Sequence, residues 1–131
     1  MEEELSWGRE LSACETLIMK AVWDAQEDIS LMELKSVLKD RFGKDYSRTT
    51  VSTFLLRLSE KGFVKTYRNG KNSYIHPIKK EEDYKNSLMN REMDFWFGGR
   101  PSALVASLYS DGQISREDAD EIRKVLDGFE D

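Results

Sequence analysis

The strongest constraint on the fold is a change of hydrophobic period at Gly62. Before Gly62, apolar residues recur at three- and four-residue spacing, which is typical of amphipathic helices. After Gly62, two short β-prone runs flank an Asn-Gly turn, which is typical of a β-hairpin. The sequence therefore predicts several helices followed directly by a hairpin.

Three serines mark where the helices before the hairpin begin. Ser12 precedes Glu15 by three residues, and Ser30 precedes Glu33 by the same distance. Such a pair forms a capping box, in which each side chain satisfies an exposed backbone N–H at the start of a helix. Ser47 is expected to cap a third helix. Three capped helices are therefore predicted before the hairpin.

Each of these helices has one apolar face and a recognisable end. The first is expected to end near residues 24–27, Gly43 is placed to end the second in the left-handed conformation, and the third runs to Gly62. The apolar faces give each helix a side to bury. They consist of Ile18, Met19, Val22 and Trp23 in the first helix, Leu34, Val37, Leu38 and Phe42 in the second, and Val51, Phe54, Leu55 and Leu58 in the third.

The predicted hairpin has a basic tip. Its two β-prone runs, residues 63–68 and 73–78, are separated by Asn69-Gly70-Lys71-Asn72, and Arg68 adds a second positive charge beside the turn. Three helices followed by a hairpin is the order of a winged helix-turn-helix. The predicted fold class is therefore mainly α with a small β-hairpin, a winged helix-turn-helix plus a C-terminal helical region.

Three more helices are predicted after the hairpin. They span residues 81–97, then 101–109 with Pro101 at the first helical position, and then a last helix capped by Ser115 with Asp118. These short helices carry more large apolar residues than they can bury among themselves. Something else is expected to cover their apolar surface.

A second copy of the chain is the simplest cover for this surface, and folding back onto the winged domain is the alternative. We therefore predict a winged-helix DNA-binding domain over residues 1–80 and a helical dimerisation region over residues 81–131. The residues expected at the dimer interface are Leu88, Phe95, Trp96, Leu104, Val105, Leu108, Ile122 and Leu126.

Charge is distributed unevenly along the chain, although its net value is −5. Residues 35–80 hold twelve Lys and Arg against three acidic residues, a net of +9, whereas residues 81–131 hold six basic and thirteen acidic residues, a net of −7. Such asymmetry indicates that the basic half faces an anionic partner, although a mixed solvated surface is the alternative. Nucleic acid is the candidate partner.

The third helix is the predicted DNA-reading element. Its face opposite the apolar side is rich in hydroxyl groups, which bind base edges or phosphates, and arginine reads guanine. The hairpin tip is expected to contact the DNA backbone or a minor groove, although a basic turn is often merely solvated. The predicted DNA-binding residues are Lys44, Tyr46, Ser47, Arg48, Thr49, Ser52, Thr53, Arg57, Lys61, Arg68 and Lys71.

Enzymatic and metal-binding functions lack a motif in this sequence. There is no Gly-rich phosphate loop, nucleophile elbow or metal-spaced His/Cys set, because His76 and Cys14 are the only residues of their types. We therefore predict no catalytic residue, no metal and no cofactor, with His76 and Cys14 as structural residues. Without an apolar run of about 18 residues or a basic start at Met1, a cytoplasmic protein without membrane contact is expected.

Several stretches of the sequence carry a family resemblance. They are Leu11-Ser12-x-x-Glu15 leading to Met19-Lys20-x-Val22-Trp23, then Ser47-Arg48-Thr49-Thr50-Val51-x-Thr53-x-Leu55-x-Arg57-Leu58-x-x-Lys61-Gly62, then Tyr67-x-x-x-x-x-Ser73-Tyr74, and, in the tail, Phe95, Leu104-Val105 and Ile114-Ser115-x-x-Asp118. Through them the chain resembles the bacterial penicillinase repressors and their methicillin-resistance and copper-responsive relatives, the BlaI/MecI/CopY group. The resemblance covers almost the entire chain.

The resemblance implies a repressor that binds a dyad-symmetric, double-stranded DNA operator as a homodimer, with the third helix in the major groove and the hairpin beside it. A sensor protease is a further partner that it implies, because antibiotic-responsive members are inactivated by cleavage at an Asn-Phe bond. Ser107-Leu108 stands at that place here. The four-cysteine cluster of the copper-responsive members is missing before Phe129-Glu130-Asp131.

The leading hypothesis is therefore a sequence-specific transcriptional repressor. The alternative from another class is a winged-helix module whose third helix binds a protein instead of DNA. Salt dependence separates the two, because phosphate contacts make affinity fall steeply as ionic strength rises.

Overall fold

The computed structural model describes residues 11–128, which form six helices and one three-stranded antiparallel sheet. The predicted mainly α fold is confirmed. The chain divides into two compact units, one ending at Tyr84 and one beginning at Lys85. The expectations about the N-terminus at Met1 and about Phe129-Glu130-Asp131 fall outside the described residues.

The first two helices begin at the predicted capping boxes. Helix α1 spans Ala13–Asp24, where the Glu15 N–H donates to Ser12 Oγ (3.2 Å) and the Ser12 N–H donates to Glu15 Oε1 (2.8 Å). Helix α2 spans Leu31–Phe42 with the same reciprocal pair between Ser30 and Glu33. Gly43 ends it with φ +68°, the left-handed conformation that the sequence predicted.

Helix α3 spans Arg48–Glu60 and is capped by Ser47, whose Oγ accepts from the Thr50 N–H at 3.1 Å. It ends two residues before the predicted limit, because Gly62 adopts φ +83° and stops the helix. The Phe63 N–H then donates to the Leu58 carbonyl (2.9 Å), which completes a Schellman cap. This cap leads the chain directly into the first long strand.

The sheet consists of β1 (Ile29–Ser30), β2 (Val64–Asn69) and β3 (Asn72–Pro77), in the order β1-β3-β2. The predicted hairpin is present, but its turn differs by one residue. Asn69 pairs with Asn72, so the two-residue loop is Gly70-Lys71, and Gly70 with φ +68° occupies the position that glycine takes in type II′ turns. Strand β1 was not predicted, because two residues are too few to show a period.

The core of the first unit lies between the three helices and the sheet. Eight of the twelve predicted apolar-face residues are buried, and the other four, Trp23, Val37, Phe42 and Phe54, are half-buried against them. The hairpin contributes at its base and on one face only. The buried apolar residues are Ile18, Met19, Ala21, Val22, Ile29, Leu31, Leu34, Leu38, Val51, Leu55, Leu58, Phe63, Val64 and Ile75.

Helix α4 spans Glu81–Phe97, and its first turn, up to Tyr84, belongs to the first unit. The Tyr84 ring lies 5.9 Å from the Trp23 ring and 5.4 Å from the Phe63 ring, centroid to centroid. The Tyr84 hydroxyl also accepts from the Leu11 N–H at 3.3 Å. The Tyr84 side chain is therefore covered within the first unit.

The second unit contains the rest of α4, helix α5 (Pro101–Ser110) and helix α6 (Arg116–Asp127). Ser115 and Asp118 form the predicted capping box of α6, with N···O distances of 3.0 and 3.1 Å. None of the described residues from Lys85 onward is fully buried. Over residues 11–128, no helix combines the length and apolar character that crossing a bilayer requires.

Candidate nucleic-acid interface

The solvent-facing side of α3 carries the hydroxyl groups that the sequence placed there. Thr49, Ser52 and Thr53 are exposed, as is Leu56 with 62% of its surface accessible, while the opposite face is buried. The Thr53 hydroxyl donates to the Thr49 carbonyl at 3.0 Å, so it offers acceptor lone pairs to any other partner. This face combines hydrogen-bonding groups with one large apolar side chain.

The start of α3 is suited to anions. Helices α1, α2, α4 and α6 each have acidic residues in their first turn, which compensate the positive helix end, whereas α3 and α5 have none. Ser47 satisfies the Thr50 N–H and also donates its hydroxyl to Thr50 Oγ1 at 2.9 Å. Arg48 and Lys44 are exposed beside this end. The local charge is therefore positive.

Tyr46 occupies a more structural position than the other predicted contacts. Its hydroxyl donates to Cys14 Sγ at 3.0 Å, and its ring lies 5.7 Å from the Phe54 ring. The hydrogen bond with Cys14 raises the pKa of Tyr46, with desolvation adding to the effect. Tyr46 therefore ties the segment before α3 to helix α1, and Cys14 is half-buried as expected.

Lys61 and Arg57, near the end of α3, differ in their surroundings. Lys61 is half-buried, and its Nζ lies 2.6 Å from Oε1 of Glu15, which is only 1% exposed. Burial raises the pKa of Glu15, but hydrogen bonds from Lys61 and Ser12 outweigh it, so the net pKa is lowered. Arg57 is exposed, with its guanidinium 5.9 Å from the Phe54 ring centroid. Lys61 thus neutralises a buried carboxylate, whereas Arg57 faces solvent.

The two basic residues of the hairpin tip are both exposed. Arg68 pairs with Ser73 across the strands, on the same face as Thr66 and the buried Ile75, and its Nη2 donates to the Lys71 carbonyl at 3.4 Å. Lys71 lies in the turn itself. The strand register therefore places Arg68 on the core-facing side of the hairpin.

A cleft joins α3 to this face of the hairpin. Its polar lining is four hydroxyl groups, two from α3 and two from the strands, and its floor is apolar. The sequence did not point to the hydroxyls of Ser59, Thr66 and Ser73, because serine and threonine are ordinary surface residues. The strand register puts Thr66 and Ser73 on one face of the hairpin, and Ser59 comes from α3. The lining residues are Leu31, Ser52, Leu55, Leu56, Ser59, Thr66, Ser73 and Ile75.

The predicted dimer-interface residues lie in the second unit with much of their surface uncovered. Leu88, Leu104 and Ile122 are half-buried, whereas Phe95, Trp96, Val105, Leu108 and Leu126 are between 40% and 68% exposed. An apolar groove between α5 and α6 brings together three of the eight, Val105, Ile122 and Leu126. The other five lie outside this groove.

The sequence analysis predicted no metal-binding and no catalytic residues. Between residues 11 and 128, no three His, Cys, Asp or Glu side chains are grouped as metal ligands. His76 lies in β3, as expected, with its Nδ1 2.8 Å from Asp28 Oδ1.

The fold and this surface define a winged-helix protein with an additional helical region. The family model described as "Penicillinase repressor" matches residues 11–128, and the chain belongs to this family. The predicted resemblance is therefore confirmed. The family is one of repressors and not of enzymes, as the sequence predicted.

Individual relatives match over most of their length. The chain is 25% identical over 118 residues to a penicillinase repressor of Staphylococcus aureus, covering 89% of this chain and 90% of the relative. It is 24% identical to a penicillinase repressor of Bacillus licheniformis, with 90% of each covered, and 22% identical to the methicillin resistance regulatory protein MecI of Staphylococcus aureus strain N315, with 89% and 93% covered.

A solved structure matches the winged-helix part of the fold. It is the solution structure of the DNA-binding domain of the repressor BlaI, at 29% sequence identity and a TM-score of 0.50. The match covers 58% of this chain and 89% of that domain. The winged-helix prediction is therefore confirmed.

Proposed function

We propose that the protein is a DNA-binding transcriptional repressor that recognises a specific operator as a homodimer. The observation that carries the proposal is the match between its winged-helix fold and the DNA-binding domain of the repressor BlaI, in a chain of the penicillinase repressor family. The exposed polar face of α3 and the basic hairpin supply the chemistry that such binding needs.

In this proposal α3 enters the major groove. Thr49, Ser52 and Thr53 meet base edges, where a hydroxyl accepts or donates and a threonine methyl contacts thymine. Arg48 and Arg57, at either end of this face, reach guanine or phosphate. The B-DNA major groove, about 12 Å wide, accommodates one helix, so this single exposed face accounts for the direct reading of sequence.

Phosphate contacts surround this face. Lys44, Ser47 and the positive end of α3 bind one phosphate group, and Arg68 and Lys71 bind the backbone from the hairpin. The hydroxyl-lined cleft is formed by the same two elements, α3 and the hairpin. Tyr46 and Lys61 also contact DNA in this proposal. Their hydrogen bonds to Cys14 and Glu15 give each of them a structural role as well.

The second unit, together with the start of α4, is the proposed dimerisation region, residues 81–131, and residues 1–80 form the proposed DNA-binding domain. The uncovered apolar residues of the second unit support this assignment, because monomeric proteins rarely expose large contiguous apolar patches. A two-fold dimer presents two recognition helices to two half-sites, about 34 to 36 Å apart or a multiple of that distance. The operator is therefore expected to be dyad-symmetric.

Repression in this proposal follows from occupancy of a promoter, and release of the dimer is the regulated step. A sensor protease is the proposed releasing partner. Ser107-Leu108, where the antibiotic-responsive members have Asn-Phe, lies inside α5. We do not propose cleavage at this bond.

The test is the equilibrium binding of the purified chain to the promoter upstream of its own coding region, measured by fluorescence anisotropy over a salt series. If Lys44, Arg48, Arg57, Arg68 and Lys71 all contact phosphates in both half-sites, the slope of log K against log salt is about −9. Saturable binding of a dimer, resistant to competitor DNA, supports a specific repressor. Binding that is absent or insensitive to salt favours the protein-binding alternative.

Two substitutions separate phosphate contacts from base contacts. Arg48→Ala is expected to weaken binding to every DNA sequence and to make the salt slope about two units shallower, because the dimer loses one phosphate contact in each half-site. Thr53→Ala is expected to weaken operator binding, by about 0.5 to 1.5 kcal/mol per half-site for one hydrogen bond, and to leave non-specific binding and the slope unchanged. Arg116→Ala, which removes the same charge from an exposed position in the second unit, is the matched control for Arg48→Ala.

A further inference from the structure

Asp28 lies between helix α1 and strand β1 and faces the hairpin. The β1–β3 register pairs Ile29 with Ile75 and Ser30 with Tyr74, so the residue before β1 stands opposite His76. His76 in turn pairs with Lys65 on β2. Because directly paired residues share a face of the sheet, Asp28 lies on the outer face of the hairpin, opposite to the core.

One carboxylate therefore contacts both strands of the hairpin. The Tyr67 hydroxyl on β2 donates to Asp28 Oδ2 at 2.5 Å, and Nδ1 of His76 on β3 lies 2.8 Å from Asp28 Oδ1. These two hydrogen bonds, from Tyr67 first, lower the pKa of Asp28, and the charge of Lys65 adds to the effect. Asp28 is thus an ionised carboxylate at neutral pH.

Strand β2 contacts α3, and strand β3 contacts α1, α2 and β1, but few hairpin side chains are buried in these contacts. In β2 only Val64 is buried, and in β3 only Ile75 is buried, so the core holds the hairpin near its base. Strand β1 is two residues long and pairs with β3 alone. On the outer face, Tyr67 stacks on Tyr74 with ring centroids 5.7 Å apart, which stiffens the hairpin internally without attaching it to the helices.

We infer that Asp28 is a positioning residue for the hairpin. Through Tyr67 and His76 it holds the hairpin against the helices of the first unit. Arg68 and Lys71 therefore already occupy, before binding, the positions in which they contact DNA. The inference rests on the proposed function. A contact held in place before binding loses less conformational entropy on binding, so Asp28 strengthens the complex although its own negative charge repels phosphate.

The sign of the Asp28→Ala effect tests the inference. Electrostatic repulsion alone predicts tighter DNA binding when a negative charge is removed, whereas loss of positioning predicts binding about three- to tenfold weaker. Glu27→Ala is the matched control, because it removes the same charge from the neighbouring exposed residue. The expected result is weaker binding for Asp28→Ala and equal or tighter binding for Glu27→Ala. Asp28→Ala binding as tightly as Glu27→Ala overturns the inference.

A conservative variant separates charge from hydrogen bonding. Asp28→Asn removes the charge as Ala does, but its amide oxygen still accepts from Tyr67. Its affinity is expected to lie between those of the wild type and Asp28→Ala. Equal affinities for Asp28→Asn and Asp28→Ala contradict a role through the Tyr67 hydrogen bond.

A double-mutant cycle distinguishes positioning from general destabilisation. In an Arg68→Ala/Lys71→Ala background the hairpin tip lacks both of its basic side chains, so Asp28→Ala is expected to cause no further loss of affinity. An equal loss in both backgrounds overturns the inference. If Arg68→Ala/Lys71→Ala leaves affinity unchanged, the inference also fails, while Arg48→Ala and Thr53→Ala continue to test the proposed function independently.

Hydrogen exchange tests the same role in the absence of DNA. The backbone amides of β2 and β3 are expected to exchange faster in Asp28→Ala than in the wild type.

Discussion

The two units of the chain use their apolar residues in different ways. The first unit buries fourteen apolar residues among three helices and a sheet, and even the carboxylate of Glu15 is enclosed and paired. The second unit has no fully buried residue in its described part, and Trp96 at its surface is 68% exposed. The first unit therefore has its own core, whereas the second leaves most of its large apolar side chains uncovered within one chain.

Core truncation gives the largest expected effect and is confined to the first unit. Leu38 is completely buried, so Leu38→Ala removes transfer free energy and leaves a cavity, at a cost of about 2 to 5 kcal/mol. The measurement is chemical denaturation monitored by circular dichroism at several protein concentrations. The loss of stability is expected to be the same at each concentration, and a loss that varies with dilution contradicts an autonomous core.

Breaking the Glu15–Lys61 pair gives the next largest effect. Lys61→Ala leaves a buried carboxylate without its partner, which costs about 3 kcal/mol or more in a fully buried pair. Since the Lys61 side chain is 23% exposed, solvent screens part of the interaction, and about 2 kcal/mol is expected. Arg57→Ala, at an exposed position on the same helix, is the control and is expected to change stability by less than about 0.5 kcal/mol.

The same ion pair makes the stability of the first unit depend on pH. The pKa of Glu15 is lowered in the folded state, so the folded protein binds fewer protons than the unfolded chain. The stabilisation is present above the ordinary value of 4.5 and is lost as pH falls through the lowered pKa. Lys61→Ala is expected to flatten this loss, as measured by thermal unfolding over a pH series. An unchanged pH profile shows that other carboxylates cause the acid sensitivity.

The smallest effect on the folded monomer is expected in the second unit. Leu126 is 57% exposed and lines the α5–α6 groove, so Leu126→Ala removes little buried surface within one chain. If this surface binds a second copy, the substitution instead raises the dimer dissociation constant, measured by sedimentation equilibrium. Glu121→Ala, which replaces an exposed acidic residue on the same helix, is the control. An unchanged dissociation constant removes Leu126 from the proposed interface.

Local signals account for most of what the sequence predicted correctly. The starts of α1, α2, α3 and α6 follow from serine caps, and the stop at Gly43 follows from one glycine. These features depend on residues within one turn of helix. The distance between such residues in space therefore follows directly from their separation in the sequence. The hairpin was predicted for the same reason, with its turn displaced by one residue.

What could not be predicted are the partnerships between distant residues. Lys61 was assigned to DNA from its position on α3, but its contact with Glu15, 46 residues away, depends on how α1 and α3 pack. Strand β1 was missed because it exists only through pairing with β3. The hydroxyl-lined cleft likewise depends on which hairpin face turns toward α3.

The helices, the buried faces of the first three, the hairpin and the family can be read from the amino-acid sequence, because each is encoded in short spacings of side-chain type. Which charged groups meet depends on how the chain packs. Glu15 lies against Lys61, and Asp28 lies against Tyr67 and His76, residues 39 and 48 positions away. The physical reason is that hydrogen bonds act over about 3 Å, and only packing and strand register bring distant side chains within that distance.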